Sequence, residues 1–486
     1  MSVDLTPLFE PRGVIVTGVS THPGKFGFVT LHNILTCGYE GPVYAVGREA
    51  GTVLGRPVLA SVEEVPADSA DLLVICTPVS VNEEILVSAA AKGVGAVFVA
   101  AGGYSESGPK GITAEARLAS LANELGLVLA GPNGQGVVST PVGLCAQIVA
   151  PFPPRGCIGV ASQSGNLVSA FLNLAEQTGI GISRSVSAGN AASTGLVDYL
   201  EWFADDPETD VALCYIEGLP DGRDFFKRVR QVSTQMPVVV IKGGVTSGGQ
   251  RAAASHTGSL ASDDRIFDGM ARQAGLLRAP TVEAAFDTAA TFATQPLPQG
   301  DNVVVLTTAG GWGVIAADAV TAHPDLMLSA LPDDLFASID EILPLRWSRN
   351  NPVDLAGGET RETIPDLLHL VAGHPDVGSI IQLGLGIQGN TAALTRSGPF
   401  YPDHGLERIV AFHEHQEHLY ATAAAEASAA NSKPVLVASE LATAWPDNPM
   451  VAAVRDSGRL CYSSADRAIA ALGHVARYAT WRRERT

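Results

Sequence analysis

The stretch DVALCYIEGLPDGRDFFKRVRQVSTQMPVVVIKGG (210–244) decides the fold class of this chain. It opens with one apolar run, DVALCYIEG (210–218), and closes with another, MPVVVIKGG (236–244). An amphipathic helical pattern near residues 223–234 separates the two runs. Two buried strands joined by a helix form a βαβ unit, and such units build parallel sheets. The stretch therefore predicts an α/β fold.

The same alternation of strand-like runs and helical patterns continues along all 486 residues. The other strand-like runs include GVIVTGVS (13–20), PVYAVG (42–47), DLLVICTP (71–78), AVFVAAGG (96–103), LVLAGPN (127–133), CIGVAS (157–162), ISRSVS (182–187), VVVLTTAGG (303–311), VGSIIQLGLG (377–386) and PVLVAS (434–439). The proline-rich segments 150–156 and 295–302 divide them into three sets. We predict three Rossmann-like or flavodoxin-like parallel-sheet domains in series, at residues 1–148, 155–296 and 301–486.

The amino-acid composition limits the classes of binding partner and the cellular compartment that we expect for this chain. The hydrophobic content of 46% allows large buried cores. The net charge of −19 argues against nucleic acid as a partner, because duplex binding needs a concentrated basic surface. The six cysteines form no CxxC pair, which favours reduced thiols over zinc or disulfides. Because we see neither a signal peptide nor an 18-residue apolar run, we expect a cytoplasmic protein without a membrane span.

One histidine lies in a run of small residues, AAASHTGSLA (252–261). We expect His256 to lie on a loop at the carboxyl end of the preceding strand, where open α/β sheets bind ligands. An open, neutral imidazole suits a covalent phosphoryl carrier, and the alternative is a surface histidine on a flexible loop. Glu217 ends the strand-like run before it, so parallel pairing would bring both residues to one sheet edge. The alternative for Glu217 is a solvent-facing acid.

Three glycine-rich turns are candidate anion sites, because the first turn of a helix leaves amide donors free. The first turn carries Gly18, Ser20, Lys25 and Gly27; the second is SQSGN (162–166); the third is TTAGGWG (307–313). For the first turn, the alternative is a generic Rossmann-like turn without a ligand. For the other two, the alternative is ordinary helix capping. Arg48 follows the second strand-like run where a dinucleotide site has an acid, and a cation there suits a ribose phosphate.

The segment HEHQEH (413–418) raises the possibility of a metal site. On a helix, Glu414 and His418 share one face, as do His413 and Glu417. A zinc site needs a ligand geometry that this polar helix does not obviously supply. We therefore predict no metal site and interpret the segment as a solvated helix face.

Seven motifs together resemble one family. They are KGG…SGGQRAAASHTGSLA (242–261), YIEG (215–218), SQSG (162–165), SAGN (187–190), AGPNGQG (130–136), TTAGG (307–311) and NNPVDLAGG (350–358). By their sequences and their order along the chain they resemble the α subunit of the NDP-forming acyl-CoA synthetases, which include ADP-forming acetyl-CoA synthetase and are related to succinyl-CoA synthetase. The resemblance extends from about residue 10 to 440.

The resemblance implies a role for each matching residue. His256 resembles the transient phosphohistidine, and Glu217 resembles the acid that steadies it. The implied phosphate-binding residues are Gln163, Ser164, Gly165, Asn166, Asn190, Gly310, Gly311 and Gly313. The implied coenzyme A-binding residues are Gly18, Ser20, Lys25, Gly27, Arg48, Thr77, Pro78, Gly102 and Asn133, with Arg48 as a candidate for the 3′-phosphate.

The implied reaction interconverts a small carboxylic acid, CoA and ATP with acyl-CoA, ADP and phosphate. It passes through an acyl phosphate and phospho-His256, and GDP could replace ADP. Gln135 stands where many relatives have cysteine, and Trp312 replaces a usually smaller residue. We find no ATP-grasp domain, so ATP or ADP and Mg²⁺ are expected on a separate ATP-grasp β subunit of a hetero-oligomer. The alternatives are a non-catalytic regulatory protein that binds CoA or acyl-CoA, and, less well supported, a nicotinamide-dependent oxidoreductase.

Overall fold

The computed structural model describes residues 3–149, 151–257, 264–357 and 362–485, without the side chains of 253–257. The chain divides into two compact units. The first contains Met1–Gln177 and Gly181–Ala285, and the second contains Thr178–Ile180 and Phe286–Thr486. Three mostly parallel sheets account for all nineteen strands of the described residues, and none of them builds an ATP-grasp fold. The predicted α/β class with three sheets in series is confirmed.

The first sheet has seven strands in the order β3-β4-β2-β1-β5-β6-β7. The strands are β1 (Val14–Val16), β2 (Val43–Val46), β3 (Gly51–Val53), β4 (Arg56–Leu59), β5 (Leu72–Ile75), β6 (Ala96–Val99) and β7 (Val128–Ala130). The helices are α1 (Thr6–Phe9), α2 (Phe26–Thr36), α3 (Val79–Ala91) and α4 (Pro109–Glu124), with 3₁₀ turns at Val62–Glu64 and Ser105–Ser107. All pairs are parallel except β3 with β4, and β1 lies between β2 and β5.

The second sheet has seven strands in the order β14-β13-β12-β10-β11-β8-β9. The strands are β8 (Gly136–Ser139), β9 (Leu144–Gln147), β10 (Arg155–Ser162), β11 (Ile182–Ser187), β12 (Val211–Ile216), β13 (Val238–Lys242) and β14 (Leu277–Arg278). The helices are α5 (Gly165–Thr178), α6 (Leu196–Asp205), α7 (Gly222–Gln235), α8 (Ser247–Thr257) and α9 (Asp264–Ala274), with a 3₁₀ turn at Thr140–Val142. The next helix, α10 (Val282–Thr294), belongs to the second unit from Phe286 onward. The β8–β9 hairpin follows the first sheet in sequence, yet it pairs antiparallel with β11 in the second.

The third sheet, in the second unit, has five parallel strands in the order β16-β15-β17-β18-β19. The strands are β15 (Val303–Thr307), β16 (Val353–Asp354), β17 (Ser379–Leu383), β18 (Val435–Ala438) and β19 (Cys461–Tyr462). The helices are α11 (Gly310–Ala322), α12 (Asp333–Ile342), α13 (Thr363–Gly373), α14 (Ile387–Ser397), α15 (Leu406–Asn431), α16 (Leu441–Ala444), α17 (Pro449–Asp456) and α18 (Ala465–Arg483). None of the described helices is long and apolar enough to cross a bilayer.

The deciding stretch folds as its pattern predicts. β12 and β13 are adjacent and parallel, with Ile216 opposite Lys242, and both strands are buried almost throughout. Strands covered on both faces need continuous apolar runs, which is why neither run alternates with polar residues. On α7, Phe225, Val229 and Val232 are buried at helical spacing. The carboxyl ends of β12 and β13 therefore lie side by side, which places Glu217 next to the segment that leads into α8.

A buried arginine ties three elements of the first unit together. The Arg184 side chain on β11 is fully buried. Its Nε donates to Asp206 Oδ2 at 2.9 Å, and its guanidinium also donates to Ser139 on β8 and to Glu10 after α1. The guanidinium lies 5.4 Å from the centre of the Trp202 ring. A buried cation is tolerated only where paired carboxylates and hydrogen bonds surround it, so this cluster fixes α1 and β8 against β11.

Candidate active site

The turn between β1 and α2 forms one end of a cleft of about 580 Å³ in the first sheet. Six of the predicted CoA-binding residues line it: Gly18, Ser20, Lys25, Arg48, Thr77 and Pro78. Gly18 has a φ of +71°, and a Cβ on Gly27 would come within 2.4 Å of the Gly18 carbonyl oxygen. Two glycines are therefore needed for α2 to start this close to the turn. The exposed Lys25 and Arg48 and the uncapped N-terminus of α2 make the cleft suitable for phosphate groups.

A second cavity, of about 530 Å³, lies between the first and second sheets of the first unit. Seven predicted residues line it: Gly102 and Asn133 from the implied CoA set, and Gln163, Ser164, Gly165, Asn166 and Asn190 from the implied phosphate set. Gly102 and Asn133, which we assigned to CoA, therefore face the same space as the start of α5. We call this space the central cavity.

The loop that carries Asn133 has an unusual backbone. Gly131-Pro132 is a cis peptide bond, and Asn133 has a φ of +62°. The Asn133 amide donates to the Ala101 carbonyl at 3.1 Å, and its side chain donates to Asn190 Oδ1 at 3.3 Å. A hydrogen bond thus joins the loop after β7 of the first sheet to the loop after β11 of the second sheet, at the wall of the central cavity.

Two acids at this wall were not predicted from the sequence. Asn190 donates to both Glu106 Oε2 and Glu115 Oε2 at 2.7 Å. Burial acts to raise the pKa of Glu106, but hydrogen bonds from Asn190 and from the amides of Gly103 and Tyr104 outweigh it and lower that pKa. The signal for Glu106 was present in the glycine-rich run AGGYSESG (101–108), which follows β6.

The Gln163 side chain forms hydrogen bonds with the backbone of Glu217 and Gly218. Its Oε1 accepts from the Glu217 amide at 2.6 Å and from the Gly218 amide at 3.2 Å, while its Nε2 donates to the Gly218 carbonyl at 3.0 Å. The side chain therefore holds the end of β12 in place, in addition to lining the central cavity.

Two further residues missed by sequence reasoning surround buried Glu217. Burial and the nearby Glu217 carboxylate, which is hydrogen-bonded to the phenol, raise the pKa of Tyr215. Lys242 donates to the Glu217 carbonyl at 3.0 Å and to Gly243, and burial lowers its pKa. Tyr215 belongs to the motif YIEG (215–218) and Lys242 to KGG (242–244), but the sequence gives no sign that either residue contacts Glu217.

His256 lies at the carboxyl-terminal end of a helix, and the predicted loop is wrong at this position. α8 includes residues Ser247–Thr257. The run of small residues contains three alanines (252–254), and alanine has the highest helix propensity of all residues. The His256 side chain lies outside the described residues. The α8 backbone approaches the 3₁₀ turn Ser105–Ser107, and Ser105 and Glu106 line the central cavity. The helix that carries His256 is therefore adjacent to this cavity.

The third glycine-rich turn begins α11 in the second unit. Gly310, Gly311 and Gly313 lie in its first turn, and no side chain caps it among the described residues. A Cβ on Gly310 would come within 2.6 Å of Asp354 Oδ2, so the glycine permits a carboxylate to approach the helix start. Trp312 is 37% exposed and lies beside Gly384.

The HEHQEH segment (413–418) packs two helices together. Glu417 is 1% exposed on α15, and it accepts hydrogen bonds from the Gly386, Gln388 and Gly389 amides at 2.8–3.1 Å. It thus caps the N-terminus of α14 from a neighbouring helix. Burial raises the pKa of Glu417 despite these donors. The predicted solvated face is wrong for Glu417, and the described residues contain no cluster of acid, histidine or cysteine side chains suited to a metal ion.

We expect Glu417→Ala to lower the free energy of unfolding by about 2–4 kcal/mol, because three amides, two of them buried, lose their acceptor. Urea unfolding of the purified chain measures the change. The matched control is Glu414→Ala in the same segment, which removes a partly exposed ion pair with Arg396 and should cost less than about 1 kcal/mol. Equal losses in the two variants would contradict the capping role.

Comparison with known proteins decides the family. Three family models match: a CoA binding domain at residues 12–140, a succinyl-CoA ligase like flavodoxin domain at 155–292 and a Ligase-CoA domain at 303–388. The α subunit of acetate–CoA ligase (ADP-forming) I from Pyrococcus furiosus is 38% identical over 390 residues, covering 78% of this chain and 83% of the relative. The chain belongs to the ADP-forming acid–CoA ligase family.

Other members of this ADP-forming family are longer or structurally known. The 4-hydroxybutyrate–CoA ligase (ADP-forming) of Nitrosopumilus maritimus is 32% identical over 78% of this chain, which spans only 54% of that relative. The dinucleotide-forming acetyl-coenzyme A synthetase 1 of Ca. Korarchaeum cryptofilum, in complex with phosphate and ADP, is 30% identical. It aligns with a TM-score of 0.84 over 99% of this chain and 98% of its own.

Proposed function

We propose that this chain is the α subunit of an NDP-forming acyl-CoA synthetase. It would interconvert a small carboxylic acid, CoA and ATP with acyl-CoA, ADP and phosphate. The observation that carries the proposal is the central cavity, where the implied CoA residues Gly102 and Asn133 face the start of α5. A thioester and a phosphate held there would be close enough to react, and positioning dominates the catalysis of such transfers.

CoA would bind along the first sheet. The cleft lined by Lys25 and Arg48 offers two cations and a helix N-terminus for the phosphates of CoA. Gly102 and Asn133 would then receive the thiol end at the central cavity. The relatives and the matching CoA binding domain support this assignment.

The reaction would proceed in three reversible steps. A phosphate oxygen attacks the thioester carbonyl, the C–S bond breaks, and CoA leaves with the acyl phosphate formed. A nitrogen of His256 then attacks phosphorus, the bond to the acyl oxygen breaks, and the carboxylate departs. ADP or GDP finally takes the phosphoryl group from His256. Free amides at the start of α5 (Ser164, Gly165 and Asn166) would stabilise the transferring anion. The start of α11, with Gly310, Gly311 and Gly313, is a second phosphate-binding turn that we propose for the second unit.

A separate subunit would supply the nucleotide. We place ATP or ADP and Mg²⁺ on an ATP-grasp β subunit, so that the working enzyme is a hetero-oligomer in the cytoplasm. Two Pyrococcus furiosus relatives are named as α subunits, whereas several single-chain relatives are about twice as long as the part that matches. None of the six cysteines, all of which lie in the described residues, forms a disulfide bond, and this suits a reducing compartment. The non-catalytic alternative is not favoured, because the relatives named above are ligases.

Phosphate-dependent release of free thiol tests the proposal. The purified chain is mixed with one acyl-CoA at a time, with and without inorganic phosphate, and the CoA thiol is titrated. We expect release of CoA only when phosphate and an accepted acyl-CoA are both present. Absence of release with every acyl-CoA, also in the presence of a candidate ATP-grasp subunit and ADP, would overturn the proposed activity.

A further inference from the structure

We propose that Gln135 determines acyl specificity and selects acids whose chain carries a neutral hydroxyl group. This inference rests on the proposed function, because it names the substrate class for the central cavity. Gln135 lines that cavity together with Gly102 and Asn133 at the CoA end and Ser164 and Gly165 at the phosphate end. An acyl group between these two ends would lie against the Gln135 side chain.

The Gln135 amide is held in one orientation. Its Nε2 donates to Asn166 Oδ1 at 3.0 Å, and its Oε1 accepts from Ser169 Oγ at 3.2 Å. The side chain lies across the first turn of α5, since a Cβ on Gly165 would come within 2.3 Å of Gln135 Cγ and Cδ. Packing and two hydrogen bonds therefore fix which amide atom points in which direction.

Within the described residues, part of the hydrogen-bonding capacity of this amide stays unused. A glutamine side chain has two N–H donors and an oxygen with two lone pairs, and the contacts with Asn166 and Ser169 use one of each. The remaining donor and acceptor suit a hydroxyl group, which can accept and donate at once. A plain alkyl chain would exclude water from the amide and leave both atoms unpaired, which is unfavourable.

The other lining residues favour a neutral partner over a charged one. Among the described residues that line the central cavity there is no lysine, arginine or histidine, and Glu106 contributes a carboxylate. A second carboxylate on the acyl chain would therefore lose water without gaining a cation. Phe26, Ile148 and Leu219 supply apolar contact for the carbon chain. The lining thus fits a short chain with one neutral polar group.

Equilibrium binding tests the inference with matched ligands. Butanoyl-CoA and its analogues hydroxylated on the second, third or fourth carbon are titrated into the full chain by calorimetry. We expect at least one hydroxylated analogue to bind roughly tenfold more tightly than butanoyl-CoA. In Gln135→Leu this ratio should fall to about one, while the affinity for free CoA stays unchanged.

The control and the outcomes separate the possibilities. Gln231→Leu makes the same chemical change at an exposed position of α7 and should keep the wild-type ratio. If Gln135→Leu no longer binds CoA, Gln135→Met, which keeps the length of the side chain, replaces it. A wild-type ratio near one, or a ratio that survives in the Gln135 variant, would overturn the inference. Binding needs no phosphoryl transfer, so failure of the proposed activity would be recognised separately.

Discussion

Replacing His256 with asparagine should abolish acyl-CoA-dependent synthesis of ATP by the complete enzyme. Asparagine has a similar size but no nucleophilic nitrogen at neutral pH, so the phosphoryl group would have no acceptor. We expect the turnover rate to fall by roughly 10⁴-fold or more, as for other residues that form a covalent intermediate. CoA affinity should stay unchanged, because the cleft with Lys25 and Arg48 lies on the first sheet.

The matched control is His415→Asn, an exposed histidine on α15 in the second unit. This variant should keep the wild-type rate and the wild-type affinity for CoA. Calorimetry with CoA and a coupled assay with the ATP-grasp subunit measure the two quantities. Full activity in the His256 variant would mean that the phosphoryl group takes another route, and the mechanism would be wrong.

Replacing Arg184 with methionine should produce the largest loss of stability in the first unit. The variant leaves Asp206, whose side chain is 2% exposed, without its cation, and removes the hydrogen bond to Ser139. Breaking a buried ion pair from one side costs about 3–5 kcal/mol. Urea unfolding followed by circular dichroism should show this loss as a shift of the unfolding midpoint to a lower urea concentration.

An exposed ion pair supplies the control for Arg184. Arg117 pairs with Glu83 at 2.7 Å, but its side chain is 68% exposed. Arg117→Met should therefore lower the free energy of unfolding by less than about 1 kcal/mol. If the two variants lost the same amount, burial of the Arg184 cluster would not be what stabilises β11.

Most of the fold could be predicted from the repeated alternation of strand-like and helical patterns in the sequence. The apolar runs at 210–218 and 236–244 gave adjacent parallel strands because buried parallel strands need unbroken apolar sequence. The β8–β9 hairpin could not be assigned to its sheet in this way. Its residues follow the last strand of the first sheet in sequence, and only long-range pairing of β8 with β11, over residues 137–139 and 184–186, joins them to the second sheet.

The parts of the candidate site that could be predicted are those where the local backbone geometry requires particular residues. The glycines at 18 and 27 and the start of α5 could be recognised because close approach and free helix amides need such sequences. The partners of Asn190 could not be recognised, since Glu106 and Glu115 are far from it in sequence. Likewise, an acid on α15 gives no local sign that it caps α14.

His256 shows how local composition can mislead. Its small neighbours predicted an open loop, but the same alanines are strong helix formers, and the helix continues to Thr257. Whether such a run forms a loop or a helix depends on tertiary contacts that a single sequence does not contain.

Radioactive phosphate labelling of the purified chain tests the central claim most directly. The chain is incubated with labelled phosphate and each of several acyl-CoAs, with His256→Asn in parallel, and the acid lability of bound label is measured. The account predicts acid-labile label that requires both an accepted acyl-CoA and His256. No label with any acyl-CoA, also with a candidate ATP-grasp subunit present, would contradict it and favour a non-catalytic CoA-binding protein.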